Sequence, residues 1–501
     1  MAVVSAGPRS GPAPGAHFFC TAGRGLEPFL MREVRERLAA TQVEYISGKV
    51  FFTTCSDLNM LKQLKSAERL FLLIKKQLPF PVSSVSKGKI FNELQRLIND
   101  DPESWLNAIS IWKNLLELDA KKEKLSHKNA NPLKRKVGED DITAKKLKTE
   151  QIQDIQETKE CQLEKQIEEK ILEQGNFITE GEKFQELQND VTEAVDTRNQ
   201  TNLTFRVSCR CSGAIAKTIT AQEVGRVIGI TLMKQFGWKA DLRNPNLEIF
   251  IHLSDIYSVL GIPVFRVPLA CRAYIKTAGL RSTIAWAMAS LAEIKAGAVV
   301  LDPMCGLGTI LLEAAKEWPD VYYVGADVSD SQLSGAYDNL RAAGLEDKIE
   351  LLKVSVTELP LPSESIDIII SDIPFGKKFK LGKDIKRTLQ EMERVLRVGG
   401  TIVLLLSEDH HKHLKGGEAR SGPLNSLGGH TEEPGGEECL TPAEKAAVSE
   451  LVPSSFTAGN QECLDGMPPL GSLVPVDCYR VSLGKTDALI SKYKKAYSPG
   501  R

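Results

Sequence analysis

AVVLDPMCGLGT, residues 298–309, runs from an apolar strand signal into Asp302, then a turn bearing Gly306 and Gly308, then the start of a helix at Thr309. An apolar run of strand length that stops at a carboxylate and a glycine turn is the first half of a strand–turn–helix unit. The same alternation continues outward from it. Strand signals at 298–302, 321–327, 349–354, 366–371 and 401–407 are interleaved with helical patterns at 308–317, 331–343 and 384–396. A helical pattern at about 280–294 leads in, and CYRVSLG (478–484) reads as a last strand returning to the sheet. Alternating strands and helices predict a doubly wound α/β sheet of mostly parallel strands.

The part of the chain before this domain is built differently. Residues 1–16 are rich in Gly, Pro and Ala and read as disordered. HFFCTA (17–22) is a short strand signal, and GLEPFLMREVRERLAA (25–40) has apolar positions Leu26, Phe29, Leu30 and Val34 at helical spacing. VEYISGKVFFTT (43–54) reads as strand signal with a turn at Ser47-Gly48, and 58–120 continues as globular α/β. From Lys121 to about Gln174 the chain is rich in Lys, Glu and Gln, a charged linker and not core. Order resumes at LTFRVSCRCSG (203–213), with a helix at 221–236 and strand signals in DLRNPNLEIFIHLSD (241–255) and VFRVPL (264–269). That order predicts a compact α+β module over 175–270. Residues 408–474 are rich in Gly, Pro, Ser and Glu and read as a low-complexity insertion in a 271–490 domain, and 491–501 reads as a basic tail.

Composition excludes little and points to nothing on its own. The formal net charge of −1 over 501 residues means that any basic surface is local. Ten cysteines without a C-x-x-C pair suggest neither a zinc ribbon nor a disulfide framework. The longest apolar runs, such as TIVLLL (401–406), are strand-sized, so no membrane partner is expected.

Open α/β sheets bind ligands at the carboxyl ends of their strands, which is where the 298–309 turn lies. A dinucleotide site needs a third glycine where this chain has Leu311, and a carboxylate at Asp302 repels a pyrophosphate. A cationic ligand reverses that sign. S-adenosyl-L-methionine carries an ammonium and a sulfonium, and Asp302 suits its methionine end. Gly306 and Gly308 allow close backbone approach, with Cys305 between Asp302 and the glycines as a small packing residue. The next strand ends in VGADVS, which places Asp327 where a carboxylate accepts bonds from both ribose hydroxyls. A lone Asp in such a place is most often a helix or turn cap. Two of them at successive strand ends, with glycines between, are not explained that way.

IDIIISDIPFG (366–376) adds a third carboxylate, Asp372, at the end of an apolar strand, followed by Pro374 and Phe375. Exocyclic base amines are poor nucleophiles because their lone pair is shared with the ring. A carboxylate that accepts an amine N–H orients the nitrogen and stabilises the charge that grows on it. Phe375 is suited to stack on a base turned out of its helix. Directly beyond, KKFKLGKDIKR (377–387) offers Lys377, Lys378, Lys380 and Lys383 as phosphate contacts at the mouth of the site.

DPMCGLGT, Asp327 and DIPFG, preceded by GLRSTIA (279–285), resemble the THUMP-domain RNA methyltransferases that modify the N2 amine of guanosine. The resemblance runs from His17 to about Leu489 apart from the two low-complexity insertions. It implies an N-terminal ferredoxin-like region over 17–120, a THUMP RNA-binding domain over 175–270 and a class I methyltransferase domain after it. It also implies that Leu280, Arg281, Ser282 and Thr283 line the cofactor pocket. The substrate implied is a structured RNA, tRNA or spliceosomal small nuclear RNA. The partner implied is a small zinc-binding activator subunit that covers an apolar edge of the methyltransferase sheet. One departure concerns the adenine. Such families place an acidic residue after the third strand, and here KVSVTELP (353–360) offers Ser355 and Val356. The rival readings are an amine methyltransferase acting on adenine N6 or a protein, and a non-catalytic RNA-binding scaffold. NPLKRKVG (131–138) and KKLK (145–148) form a basic cluster that resembles a nuclear import signal. His410, His411 and His413 lie in a loop-like segment with no fixed ligand geometry, so no metal site is expected there.

Overall fold

The alternating Phe18, Phe19 and Cys20 form the buried middle of strand β1 (Ala16–Thr21), the centre of the N-terminal half of a sheet. The computed structural model of the chain describes residues 15–80, 87–129, 203–374, 385–408, 410, 414, 460–461, 463–484 and 486–497. It divides into two units, Met1–Ala278 and Gly279–Arg501. The first contains β1, α1 (Glu27–Leu38), β2 (Thr41–Ile46), β3 (Lys49–Thr54), β4 (Arg69–Gln77), α2 (Lys87–Asn99) and α3 (Pro102–Asn129). After them come β5 (Thr204–Cys211), α4 (Ala221–Phe236), β6 (Lys239–Ala240), β7 (Leu247–Leu253) and β8 (Ser258–Pro263). Ile90, Leu94, Leu97 and Ile98 of α2 and Val224, Ile228 and Leu232 of α4 are spaced at one helical turn and buried in the same core. A capping box of Thr220 and Glu223 opens α4, and Gly237, at φ +68°, closes it.

The sequence reads two modules here, 17–120 and 175–270. The strands of both lie in one eight-stranded sheet, ordered β2-β3-β1-β4-β8-β7-β5-β6. The join is β4 against β8, antiparallel from Phe71↔Pro263 to Gln77↔Ser258. Its packing leaves no room for a side chain at Gly261, where a Cβ would sit 2.6 Å from Cε1 of Phe19 and 2.8 Å from the Leu72 carbonyl. Phe19 stacks on Phe71 with ring centroids 4.7 Å apart, and Phe71 meets Phe250 of β7 at 4.6 Å. Beside them Lys49 is buried, its Nζ donating to Tyr257 Oη at 2.8 Å and lying 2.7 Å from His252 Nδ1. Burial, with Arg210 nearby, lowers Lys49 to about 7.

The second unit contains α5 (Ser282–Leu291), β9 (Val299–Asp302), α6 (Thr309–Glu317), β10 (Tyr322–Asp327), α7 (Asp330–Ala343) and β11 (Ile349–Lys353). It continues with β12 (Ile366–Asp372), α8 (Ile385–Val395), β13 (Leu396–Ser407), β14 (Leu473–Ser482) and β15 (Asp487–Lys495). The sheet order is β11-β10-β9-β12-β13-β15-β14, parallel from β11 to β13 and antiparallel at its last two pairings. This is the doubly wound sheet expected, with two corrections. The chain does not end in a single strand and a basic tail, because DALISKYKK folds back as β15 between β13 and β14. Its lysines disguise it. Lys492 is 2% exposed and pairs with Glu293 at 2.7 Å, while Ile490 and Tyr493 are fully buried. The insertion also ends earlier than 474, since Met467 and Leu473 pack in the core. Cys463 and Cys478, which the cysteine spacing does not single out, are joined as a disulfide with Cα atoms 5.7 Å apart. His411 and His413 lie outside the described residues. Among the described residues no group of three or more metal-ligating side chains is found, and no helix is long and apolar enough to cross a membrane.

Replacing Gly261 with Ala forces either Phe19 or the β4 backbone to move. The expected result is a loss of about 1–3 kcal/mol of stability, read from urea unfolding followed by circular dichroism. An unchanged unfolding curve contradicts the close packing at the β4–β8 join.

Candidate active site

In the second sheet, β9 continues toward β10 on one side and meets β12 on the other, so the strand order reverses at β9. Such a switch point leaves a crevice outside the carboxyl ends of the strands. Here a cavity of about 770 Å³ opens, and three strands end in it with a carboxylate: Asp302 from β9, Asp327 from β10 and Asp372 from β12. Gly279, Leu280, Met304, Leu307, Ser329 and Gln332 complete much of its wall.

The turn after β9 is shaped for close approach. Gly306 and Gly308 have φ of +52° and +76°, a region that side chains rarely adopt. Asp327 is held from both sides: Gly306 N–H donates to Oδ2 at 3.0 Å and Ser329 N–H to Oδ1 at 2.8 Å. Each oxygen keeps a further lone pair for a ligand hydroxyl. Asp302 is 1% exposed, and its Oδ1 accepts from Met304 N–H at 3.2 Å and from Ser371 Oγ–H at 2.9 Å. Burial, reinforced by repulsion from Asp372 and Asp327, raises Asp302 to about 7. Burial raises Asp372 to about 7 as well, and its Oδ1 has no hydrogen-bond partner among the described residues. Thr309 Oγ1, on the same wall, is likewise buried without a partner among them.

Among the described residues, three carboxylates and no Lys or Arg line this cavity. That donor set repels a pyrophosphate and fits a cationic ligand with ribose hydroxyls, as S-adenosyl-L-methionine is. When bound, that cofactor supplies an electrophilic methyl group.

Of the residues singled out by sequence, Asp302, Cys305, Gly306, Asp327, Ser355, Val356, Asp372 and Pro374 line the cavity. Gly308 shapes the turn and caps α6 without lining it. Arg281, Ser282 and Thr283 are not among the residues that line it. Arg281 is the N-cap of α5, and Ser282 and Thr283 are buried in its first turn, so the wall passes from Leu280 to Asp302. Burial and the neighbouring carboxylates push the Cys305 thiol far above its usual range, consistent with a packing role. Phe375, Lys377, Lys378, Lys380 and Lys383 lie outside the described residues. Sequence reading misses Ser329 and Gln332. Ser329 is legible only as the N-cap of α7, its Oγ accepting from Gln332 N–H at 3.4 Å. It also misses Thr309 and Thr357 on the wall, and Ser371 beneath it.

Comparison with known proteins agrees with this geometry. Residues 182–261 match the model of the THUMP domain family, and residues 270–415 match that of the RMKL-like methyltransferase domain. The chain is 93% identical, over the whole of both chains, to a Bos taurus protein named U6 snRNA (guanine-N(2))-methyltransferase THUMPD2. It is 26% identical to the Homo sapiens tRNA (guanine(6)-N(2))-methyltransferase THUMP3, over 78% of this chain and 80% of that one. Among solved structures, TrmN from Thermus thermophilus shares the fold with a TM-score of 0.56 at 19% identity, over 96% of this chain and 99% of that one. The chain belongs to the THUMP-domain family of S-adenosylmethionine-dependent RNA guanine-N2 methyltransferases.

Proposed function

We propose that this chain methylates the N2 amine of a guanosine in U6 small nuclear RNA, with Asp372 holding the amine. The observation that carries the catalytic part is the Asp372 carboxylate, on the cavity wall with a buried Oδ1 that has no partner among the described residues. A buried acceptor without a donor costs about 1–3 kcal/mol, which an amine N–H from substrate returns. As the nitrogen takes up the methyl group it gains positive charge, and the fixed carboxylate stabilises that charge more than the neutral ground state. One amine proton must then leave, and a carboxyl raised to about 7 is suited to accept it. Asp327 would hold the ribose and Asp302 the ammonium. The name of the close Bos taurus relative supports U6 small nuclear RNA over tRNA.

RNA capture falls to the first unit in this reading. Arg206, Arg243 and Arg266, with Trp112, Phe265 and Asn244, line a cavity of about 450 Å³ there. Guanidinium groups beside aromatic rings suit phosphates and unstacked bases. The family resemblance adds the activator subunit. Its docking edge is supported by β11, an edge strand of the second sheet, with exposed Tyr322 on neighbouring β10 and exposed Tyr337 on α7. The import-like cluster at 131–148 lies outside the described residues and supports a nuclear location. Changing Lys134, Arg135 and Lys136 to Ala is expected to move a tagged chain toward the cytoplasm, and an unmoved distribution removes the signal.

Single-turnover methylation of U6 transcript tests the chemistry. Asp372→Ala is expected to bind RNA and cofactor within a few-fold of wild type but to react ~10²–10³ more slowly. Asp372→Asn keeps an acceptor without its charge and is expected to fall between. The wild-type rate is expected to rise with pH through about 7 as Asp372 ionises. Normal methylation by Asp372→Ala removes it from the mechanism. In the same assay the chain purified alone is expected to be poorly active, and full activity without a second subunit contradicts the partner.

A further inference from the structure

We infer that Ser371 is a positioning residue for methyl transfer, holding Asp302 so that one carboxylate oxygen is spent on the protein and the other is presented to the cofactor. The inference rests on the cofactor reading of the cavity. Ser371 is a hydroxyl near the carboxyl end of a strand whose preceding residues Ile368, Ile369 and Ile370 are buried, and it is itself 0% exposed. A hydroxyl at that depth is costly unless it is bonded. Its bond crosses to the adjacent strand β9, with Oγ–H donating to Asp302 Oδ1 at 2.9 Å. The same oxygen accepts Met304 N–H at 3.2 Å. Oδ1 is therefore occupied by two protein donors, and Oδ2 is left for a donor from the cavity.

The bond also sets the charge of the site. Asp302 is faced by Asp372 at the end of β12, by Asp327 at the end of β10 and by the Cys305 thiol in its own turn. Burial and both carboxylates work against its ionised form, while the Ser371 and Met304 bonds favour it. With the hydroxyl removed, one of the two bonds that favour the anion is gone, and Asp302 stays protonated to higher pH. A neutral Asp302 attracts an ammonium far less than a carboxylate does. Ser371 immediately precedes Asp372, so its side-chain hydrogen bond ties the residue next to the one that would hold the acceptor amine to the carboxylate that would hold the methionine end. Its place between Asp302 and Asp372 is not visible in the sequence, where it is one polar residue at the end of an isoleucine run.

The test is calorimetric binding of S-adenosyl-L-methionine to the full chain between pH 6 and 9. Wild type is expected to lose affinity as pH falls below about 7. Ser371→Ala is expected to lose on the order of tenfold at neutral pH and to recover at high pH, which is a shift of the profile by about one pH unit. Ser371→Thr keeps the hydroxyl and is expected to restore the wild-type profile. In an Asp302→Asn background, Ser371→Ala is expected to change affinity by less than about twofold, because the two act as one unit. A wild-type profile in Ser371→Ala, an equal loss at every pH, or a Ser371 effect that persists in the Asp302→Asn background overturns the role. Absence of wild-type binding at every pH instead overturns the cofactor reading, and the role with it.

Discussion

Asp302, Asp327 and Asp372 are brought to one cavity by three strands, Asp302 fully buried, Asp372 with one oxygen buried, and none matched by a basic residue on the described lining. Like charges taken out of water oppose one another and oppose burial, and both effects raise a carboxyl. Burial raises both Asp302 and Asp372 to about 7, where ordinary aspartates are ionised, and repulsion from the other two carboxylates adds to it at Asp302. In the ligand-free chain the folded state therefore binds protons more tightly than the unfolded state from about pH 4 to about 7. Unfolding free energy falls as pH rises through that window. The arrangement costs stability in the absence of a cation, and a bound cation with amine donors relieves it. Much of the second unit can be understood as the frame that keeps this cluster together.

That frame is mostly backbone and small side chains. The Gly306 amide and the Ser329 amide orient Asp327, while the Met304 amide and the Ser371 hydroxyl orient Asp302. Gly325, on β10 behind the turn, is packed so closely that a Cβ would lie 2.8 Å from Leu311 Cδ1 and 3.1 Å from Cys305 Sγ. Cys305 fits that constraint as a small group against the sheet. The first unit obeys a similar rule at Gly261, where absence of a side chain lets the N-terminal and THUMP strands join.

Most of the second sheet is legible because a doubly wound domain writes its strands as apolar runs ending at turns. Asp302, Asp327 and Asp372 stand out because strand ends are visible in sequence and carboxylates there are unusual. Two kinds of feature are hidden. β15 escapes a reading by pattern because its lysines, one of them buried against Glu293, break the apolar run. Resemblance assigns Arg281, Ser282 and Thr283 to the pocket, and the structure places them at the start of α5, next to the lining residue Leu280. The joining of two modules into one sheet depends on pairing between residues far apart in the chain, and periodicity within either strand carries no information about it.

The carboxylate cluster is built to receive a cationic cofactor. Calorimetry of S-adenosyl-L-methionine binding at pH 6.5, repeated in buffers of different ionisation enthalpy, reads protons exchanged on binding. If Asp302 is partly protonated in the free chain and ionised in the complex, binding releases protons, and Asp302→Asn reduces that release. Binding by wild type without proton release, or a release unchanged by Asp302→Asn, contradicts the account.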